Sequence, residues 1–373
     1  MNNPIGIYIH VPFCASKCGY CDFYSLPYSE ELMEKYVNRI VSEINRWGDK
    51  LRRPADTLYF GGGTPSLLRV DQVERIIFAA RQKFSLEGAE ITVEVNPAED
   101  LKDWLVGAKK AGINRISVGF QSANEKELKT LLRRHTLPDA IRTVEDIKTA
   151  GIDNFSLDIM LGIPHQNSES LRHSLDVIAG LGPCHISAYM LSVEEGTYFH
   201  KNREKLNIPN DDEVEKFYLE TVKFLEKKGY RKYEISNFSK DGKTSKHNTK
   251  YWTGKEYLGL GPAAHSLLLG KRFYYDRNLS DYLKNPKEIP DGDAGDFEEW
   301  FMLKIRLSDG FSFEEIAENF EDISSVFAKN KADLFVKGGM MKNIDGKYSL
   351  TDKGALVSNT VISELLGAFG QKK

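Results

Sequence analysis

The chain has 373 residues, which is enough for one large domain and a smaller one. Hydrophobic residues make up 41% of it and the formal net charge is -3, so the composition is that of an ordinary soluble protein and does not indicate a nucleic-acid partner. No apolar run reaches the length of a membrane span and MNNPIGIYIHVPF lacks a basic leader, so we expect a cytoplasmic protein whose membrane association is peripheral at most.

The first predicted strand, Ile5 to Val11, leads directly into HVPFCASKCGYCDF, which holds Cys14, Cys18 and Cys21. This C-x3-C-x2-C spacing lets a short loop turn all three thiolates toward one small inorganic group. Closed zinc and iron-sulfur sites use four protein ligands, whereas a cluster held by three leaves one iron open to an outside molecule. Two alternatives stay open. One is a zinc site with His10 as the fourth ligand, and the other is disulfide bonds, which a reducing cytosol disfavours.

From residue 5 to about 191, short strand patterns alternate with amphipathic helical patterns, which predicts βα units around a parallel sheet. The predicted strands are Ile5 to Val11, Thr57 to Phe60, Glu90 to Val95, Arg115 to Phe120, Phe155 to Ile159 and His185 to Leu191. The predicted helices are Glu31 to Trp47, Val70 to Phe84, Asp100 to Ala111, Asn124 to Leu132, Pro138 to Ala150 and Ser168 to Ala179. Six strands predict an α/β fold with an incomplete (β/α)6 TIM-like barrel in place of a closed barrel of eight strands.

Polar residues cluster where the predicted strands end, and in a parallel barrel these ends all open on one face. GGGTP follows the second strand, and its glycines either let the backbone approach a ligand and present N-H groups or form only a tight turn. Glu94, Gln121 and Asp158 end or follow the next three strands, and Arg133 lies one helix later, where a solvated ion pair is the alternative. Together these residues suit a charged amino-acid nucleoside. The carboxylates can accept hydrogen bonds from ribose hydroxyls, the amide adds a polar contact, and the guanidinium can bind a carboxylate with two hydrogen bonds.

Residues 192–290 continue the first domain, with an amphipathic helix predicted from Val214 to Lys228, a strand in YRKYEISNF and a linker from Tyr282 to Gly295. From Phe297 onward, helical patterns and a hairpin turn at Asp345-Gly346 predict a small winged-helix-like domain. Its lysines are mixed with acidic residues, so we expect a lid or partner-docking role in place of DNA binding. The predicted domains are therefore residues 1–290 and 297–373.

The order of these motifs resembles the radical S-adenosylmethionine (SAM) superfamily and, within it, the coproporphyrinogen dehydrogenase branch. The resemblance covers residues 5 to about 270 and rests on IYIHVPFC, the cysteine triad, GGGTP, EVNP, SVGFQS, LLRRH and DIMLGIP. It implies a 4Fe-4S cluster on Cys14, Cys18 and Cys21 whose open iron chelates SAM. It also implies SAM contacts by Tyr8, Tyr20, Gly62, Gly63, Thr64, Glu94, Gln121, Arg133, Asp158 and Met190.

Two features separate the chain from the oxygen-independent coproporphyrinogen III dehydrogenases of this branch, which remain the alternative. Phe23 stands where those enzymes carry a further cysteine, and their N-terminal arm is missing before the first strand. The segment His247 to Trp252, HNTKYW, is a hallmark of the HemW-type heme chaperones. The resemblance therefore implies heme as a third ligand and a heme-acceptor protein as partner, with respiratory proteins as candidates. Whether SAM is cleaved or only bound stays open.

Within this segment, His247 is our candidate axial ligand of the heme iron, and Tyr251 and Trp252 are candidates for packing on the porphyrin. A lone histidine is more often a packed or surface residue, so that alternative stays open. His265, in GLGPAAHS, is the second candidate ligand. Cys184 is the third, although a small buried thiol also explains it.

Overall fold

The computed structural model describes residues 3–98 and 100–371, and within them the main sheet has twelve strands. Seven of these strands run parallel, in the order β7-β1-β2-β3-β4-β5-β6. They are Ile5–Val11 (β1), Ala55–Gly62 (β2), Glu90–Val95 (β3), Arg115–Gln121 (β4), Phe155–Leu161 (β5), His185–Met190 (β6) and Tyr257–Leu260 (β7). The carboxyl ends of these strands therefore meet on one side of the barrel.

The six predicted strands are all present as β1 to β6, and their α/β arrangement as an incomplete barrel is confirmed. Strand β7 was not predicted, and it pairs with β1 so that Tyr8 lies opposite Gly259. In the described residues the sheet stays open, because its order ends with Ile289–Asp293 at one edge and Arg231–Lys232 at the other.

Helices connect the parallel strands, as the predicted alternation requires. They are Glu30–Leu51, Val70–Phe84, Lys102–Ala111, Glu125–Thr130, Leu137–Thr149 and Ser168–Leu181. The first of them begins after Ser29, whose hydroxyl oxygen accepts the N-H of Leu32 at 3.4 Å. Its buried residues Ile40 and Ile44 lie one turn apart, so one face packs on the barrel and each such side chain contributes roughly 1.5–3 kcal/mol.

The region that follows β6 extends the sheet. Its helices are Tyr198–Lys201, Asp211–Lys227, Lys246–Trp252 and Leu279–Lys284, and its strands outside the parallel set are Arg231–Lys232, Asn237–Ser239, His265–Leu268, Lys271–Tyr274 and Ile289–Asp293. The strand predicted in YRKYEISNF is thus split into two short ones, which pair with each other at one edge of the sheet.

The predicted linker from Tyr282 to Gly295 is wrong, because this segment packs against the barrel. The Tyr282 side chain is buried, and its hydroxyl oxygen accepts the N-H of Gly261 at 2.8 Å. Ile289–Asp293 forms an edge strand that pairs antiparallel with Lys271–Tyr274. Prolines and charges are tolerated there, since an edge strand leaves one side of its backbone unpaired.

The C-terminal unit, residues 297–371 as described, has a hydrophobic core of its own. Its helices are Phe297–Lys304, Phe313–Asn319, Val326–Lys337, Asp352–Leu356 and Ser358–Leu366, and its three-stranded sheet is Phe311–Ser312, Lys347–Leu350 and Met341–Ile344. Asp345 and Gly346 both have positive φ, 51° and 84°, as the predicted two-residue hairpin turn requires. The outer bounds predicted for the two domains, residues 1 and 373, lie outside the described residues.

The C-terminal unit contacts the barrel directly. The Arg306 guanidinium lies 4.6 Å from the centre of the Trp252 ring. Lys232 forms an ion pair with Asp352 at a second contact. Across residues 3–98 and 100–371, no helix has both the length and the hydrophobicity needed to cross a bilayer.

Candidate functional site

Inside the barrel lies a cavity of 840 Å³, which we call the central chamber. Its volume is within the range of small-molecule sites. It is lined by every residue predicted to bind the cluster or SAM and by His247, the first candidate ligand of the heme iron. These residues are Tyr8, Cys14, Cys18, Tyr20, Cys21, Gly62, Gly63, Thr64, Glu94, Gln121, Arg133, Asp158, Met190 and His247. The fold therefore brings together residues from six parallel strands, the loops that follow them and a helix.

The cysteine loop lies at one wall of the chamber and is tied to its neighbours through sulfur. The Thr64 hydroxyl donates to Cys14 Sγ at 3.6 Å, and the Arg133 guanidinium donates to Cys18 Sγ at 3.4 Å. Burial raises the pKa of Cys21 to about 11. A bound iron centre removes this penalty, because coordination by a metal deprotonates a thiol.

The zinc alternative does not fit the contacts of His10. Its Nδ1 shares a hydrogen bond with the Tyr8 hydroxyl at 3.1 Å, and its Nε2 donates to the Tyr24 carbonyl oxygen at 2.8 Å. The ring is buried and does not line the central chamber. Within residues 3–98 and 100–371, no three His, Cys, Asp or Glu side chains converge closely enough to hold a single ion. A four-iron cluster needs no such convergence, because each thiolate binds a different iron.

The loop after β2 needs glycines, because its backbone lies directly against the backbone of the cysteine segment. Gly62 has φ +105°, and a Cβ added to Gly63 would lie 2.5 Å from the Phe13 carbonyl oxygen. The N-H groups of Gly63 and Thr64 donate to the carbonyl oxygens of Val11 and Phe13, at 2.8 and 2.7 Å. The prediction that this loop presents free N-H groups to a ligand is therefore wrong. The N-H groups of Gly63 and Thr64 instead hold the loop against the cysteine segment.

Two carboxyl groups face the chamber from β3 and β5. The Tyr59 hydroxyl donates to Glu94 Oε1 at 2.8 Å, and the Gly62 N-H donates to Oε2 at 3.2 Å. Burial raises the pKa of Glu94 to about 7. Burial also raises the pKa of Asp158, which lies in the middle of β5 and not at its end as predicted, while the hydroxyls of Ser187 and other serines oppose the shift.

The chamber also holds a buried cation that the sequence analysis did not single out. Arg115, the first residue of β4, is 2% exposed and lines the chamber, and within the described part of the chain its Nε has no hydrogen-bond partner. Its positive charge lowers the pKa values of both Glu94 and Asp158, against the effect of burial. Side chains alternate along a strand, so Arg115 shares a face with Gln121, which was predicted as a ligand. That alternation is the signal that could have identified it.

Arg133 and Gln121 lie together where β4 ends. The Arg133 guanidinium donates to the Gly119 carbonyl oxygen at 2.8 Å, and its buried Nε has no hydrogen-bond partner among residues 3–98 and 100–371. Burial opposes its charge, yet Tyr20 and Cys18 hold the pKa of Arg133 above its ordinary value. Gln121 has φ +65°, a strained conformation for a residue other than glycine. An unsatisfied guanidinium beside the cysteine loop fits the carboxylate of SAM.

The HNTKYW sequence forms the helix Lys246–Trp252, which packs against the first halves of β2 and β3. His247 is 1% exposed. Its Nδ1 shares a hydrogen bond with the Thr57 hydroxyl at 2.7 Å, and its Nε2 shares one with the Tyr251 hydroxyl at 2.9 Å. Burial lowers the pKa of His247 to about 3. Both ring nitrogens are therefore occupied, and iron at Nε2 would have to displace Tyr251.

Of the other heme candidates, Tyr251 also lines the chamber, whereas Trp252, Cys184 and His265 do not. The Tyr251 ring packs edge-on against Tyr257, at 4.6 Å between centroids, and the Arg306 guanidinium lies over Trp252. The Cys184 thiol donates to Asn154 Oδ1 at 3.2 Å, as a half-buried structural thiol does. His265 is exposed and lines a different cavity.

The partial barrel, the cysteine loop and the chamber together define a radical SAM protein. The family model described as the radical SAM superfamily matches residues 8–178. The structure is similar to that of coproporphyrinogen III oxidase (HemN) from Escherichia coli, a radical SAM enzyme, with a TM-score of 0.83 at 20% identity over 98% of this chain and 90% of that chain. At this identity the likeness shows the fold alone.

Similar sequences identify the family more closely. The chain is 33% identical to the heme chaperone HemW of Buchnera aphidicola subsp. Schizaphis graminum, over 97% of this chain and 98% of that protein. It is 32% identical to the heme chaperone HemW of Bacillus subtilis, over 96% and 98%, and 30% identical to that of Escherichia coli, over 97% and 98%. The chain belongs to the HemW family of heme chaperones, as HNTKYW and Phe23 predicted.

Proposed function

We propose that this chain holds a 4Fe-4S cluster on Cys14, Cys18 and Cys21, binds SAM beside it, and carries heme to an acceptor protein. The observation that supports the first two ligands is that all residues expected to contact them line one chamber. When bound, the cluster supplies SAM with one electron at a time. Heme as cargo is supported by membership of the HemW family.

The chamber residues have separable roles toward SAM. Arg133 has an unpartnered Nε beside Cys18 and binds the carboxylate of the amino-acid part. Glu94, in its ionised form, accepts hydrogen bonds from the ribose hydroxyls. Gly63 lets the loop after β2 lie directly against the cysteine segment, since no Cβ fits there.

Anaerobic reconstitution tests the cluster. Wild-type protein is expected to take up about four iron and about four sulfide per chain, with broad absorbance near 400 nm. Cys18→Ser removes one thiolate and should lose this absorbance, whereas Cys184→Ser is the matched control and should keep it, because that thiol bonds Asn154 away from the chamber. Stoichiometric zinc in wild-type protein, or an unchanged spectrum in Cys18→Ser, would contradict the proposal.

Heme transfer tests the cargo. The cluster-loaded chain is expected to bind heme and to release it to an apo form of a respiratory heme protein, measured from the shift of the Soret band. A folded, cluster-loaded chain that shows no saturable heme binding would refute the chaperone function. Incubation with coproporphyrinogen III, SAM and a reductant tests the dehydrogenase alternative. We expect no substantial turnover, since Phe23 is 63% exposed on the chamber wall where those enzymes carry a cysteine.

We further propose that the acceptor docks on the C-terminal unit. On the helix Val326–Lys337, Phe327 is 75% exposed and Leu334 is 61% exposed. A spacing of seven residues is about two turns, so both lie on one face. Exposed apolar side chains on one face mark an interaction surface more often than isolated ones do. The cytoplasmic location and the absence of a nucleic-acid partner stay predictions.

The double variant Phe327→Asp, Leu334→Asp tests this surface without deleting the unit. It should weaken acceptor binding while heme affinity stays at the wild-type value. Phe78→Asp is the matched control, since Phe78 is 65% exposed on a barrel helix. Equal acceptor binding by the double variant and wild type would place the docking surface elsewhere. Deletion of residues 297–373 should have the same effect on acceptor binding as the double variant.

A further inference from the structure

A second cavity, of 460 Å³, lies beside the central chamber, and most of its wall is aromatic. Tyr8, Asp22, Phe23 and Tyr251 line both cavities and so form a shared wall between them. Of the residues predicted to bind the cluster or SAM, only Tyr8 reaches this second cavity. We call it the tyrosine groove, and its chemistry is not used by the SAM site.

A hairpin fixes His265 in the tyrosine groove. Its strands are His265–Leu268 and Lys271–Tyr274, and the turn residues Leu269 and Gly270 have φ of 54° and 71°, as a two-residue hairpin turn requires. The register places His265 directly opposite Tyr274. Their rings stack with centroids 5.1 Å apart and 21° between the planes, so the orientation of the imidazole is set by the sheet.

The two ring nitrogens of His265 have different surroundings. Nδ1 lies 3.6 Å from Oδ2 of Asp291, and the negative charge of this carboxylate favours the tautomer that carries the ring proton on Nδ1. Nε2 then carries the free electron pair, and no contact to it is recorded in the part of the chain that the structure describes. Histidines that bind metals commonly have this arrangement, in which the second nitrogen faces a carboxylate. The side chain is 57% exposed, which leaves room for an iron atom.

The buried histidines that line the two cavities, within the described residues, have both ring nitrogens in hydrogen bonds. His10 bonds the Tyr8 hydroxyl and the Tyr24 carbonyl oxygen, His247 bonds two hydroxyl groups, and His185 bonds Ser156 and Tyr233. Burial lowers the pKa of His10 to about 4 and that of His247 to about 3. Iron at either ring would have to break a buried hydrogen bond. His265 needs no such rearrangement.

A positively charged side chain, Arg277, lines the same groove. The Arg277 side chain is 53% exposed, and its guanidinium lies 3.5 Å from the Asp22 carboxylate. Exposed ion pairs contribute about 0–1 kcal/mol, so a carboxylate of a ligand can replace that of Asp22 at little cost, while the Arg277 guanidinium keeps its hydrogen bond to the Asp22 backbone carbonyl oxygen. Heme combines a planar apolar ring, an iron that takes axial ligands and carboxylates on one edge. The groove offers tyrosine rings, an imidazole and a guanidinium to match these three parts.

We propose that the tyrosine groove is the heme site of this chain, with His265 Nε2 as axial ligand and Arg277 as partner of a heme carboxylate. The proposal rests on the proposed function, because it takes heme as the cargo. It assigns the ligand role to the second candidate of the sequence analysis, and it gives His247 a structural role. Heme in this groove lies against Phe23 and Tyr251, and so next to the SAM chamber.

Heme titration of the anaerobically reconstituted full chain tests the site, with the Soret band and ferric spin state as readouts. His265→Ala should shift the wild-type Soret band and lose most of the affinity, and imidazole added to the buffer should restore the spectrum. Asp291→Asn should weaken heme binding by roughly tenfold, as loss of a carboxylate behind a metal-bound histidine does. His247→Gln should keep the wild-type Soret position, which the iron ligand determines, and the exposed control His173→Ala should keep both the wild-type spectrum and the affinity. His265→Ala, Asp291→Asn and His173→Ala should bind SAM like wild type, which shows that these three variants are folded.

The outcomes separate the two proposals. Wild-type binding with an unchanged spectrum in His265→Ala would overturn the groove assignment and leave the chaperone function standing. Loss of the spectrum in His247→Gln, with His265→Ala unaffected, would return the ligand to the HNTKYW helix. Absence of heme binding in the wild type would refute the proposed function itself.

Discussion

The pH dependence of SAM binding follows from the buried carboxyl of Glu94. Burial raises its pKa, the hydrogen bond from the Tyr59 hydroxyl lowers it, the charge of Asp158 raises it again, and the resulting value is about 7. A carboxyl group that accepts hydrogen bonds from two ribose hydroxyls does so in its ionised form. SAM binding should therefore favour chains in which Glu94 has lost its proton, and it should weaken as the pH falls below 7.

The size of the effect follows from the ionised fraction. With a pKa of about 7, roughly one-tenth of the chains carry ionised Glu94 at about pH 6, and nearly all do at about pH 8.5. The Kd for SAM should thus be about tenfold higher at the lower pH, which corresponds to about 1.4 kcal/mol.

The stability of the ligand-free protein should change in the opposite direction. The folded pKa of about 7 lies above the ordinary value of 4.5, so the contribution of Glu94 is complete below pH 4.5 and is lost as the pH rises through 7. The whole difference amounts to about 3 kcal/mol. Bound SAM should therefore raise Tm more at high pH than at low pH.

Isothermal titration of SAM into cluster-loaded protein, at constant ionic strength across this pH range, measures the dependence. Glu94→Gln keeps an accepting oxygen but does not titrate, so its Kd should be independent of pH. Glu87→Gln is the control, because Glu87 is exposed and lies three residues before β3. It should keep the wild-type dependence of Kd on pH. A flat wild-type profile, or a Glu94→Gln profile with the wild-type slope, would show that Glu94 is not the titrating group.

Three further predictions concern residues of the central chamber. Tyr59→Phe removes the 2.8 Å hydrogen bond to Glu94, so the pH midpoint of SAM binding should move above 7; an unchanged midpoint in the same titration would contradict this. Gly63→Ala places a Cβ 2.5 Å from the Phe13 carbonyl oxygen and should abolish SAM binding. Gly180→Ala is the control and should bind SAM like wild type, because no described atom lies within 4 Å of the added Cβ. Equal SAM binding by both variants would show that the loop can move to accommodate the Cβ. His247→Ala leaves Thr57 and Tyr251 without their partner and opens a cavity, so the free energy of unfolding should fall by about 3 kcal/mol in denaturant titrations. His173→Ala, at an exposed position, should change it by less than about 0.5 kcal/mol, and similar losses in the two variants would contradict a structural role of His247.

The order of the βα units could be predicted from the sequence because both signals are local. Each of β1 to β6 is a short run of apolar or β-branched residues, and amphipathic helical periods lie between these runs. Strand β7 could not be predicted in this way, since it is only four residues long and its partner β1 lies at the other end of the domain. The edge strand Ile289–Asp293 has the composition of a linker, and only its pairing with the neighbouring hairpin makes it a strand.

The chamber residues could be located from motif spacing, but their partners could not. The sequence places Glu94 at the end of a strand, yet the Tyr59 hydroxyl and the Gly62 N-H that bind it come from a different strand. The unused N-H groups expected in the glycine loop are taken by Val11 and Phe13, which the spacing of GGGTP cannot show. Side-chain alternation from Gln121 does identify Arg115, so this residue was accessible to sequence analysis.

The HNTKYW helix is explained by contacts within the protein, and this bears on where heme binds. His247 bonds Thr57 of β2 and the Tyr251 hydroxyl, Tyr251 lines both cavities, and Trp252 lies under Arg306 of the C-terminal unit. The helix thus joins the barrel, the shared wall and the C-terminal unit. A heme ligand inside the motif is not required to account for its sequence. The ligand can then be sought among histidines with a free ring nitrogen, and His265 in the tyrosine groove has one.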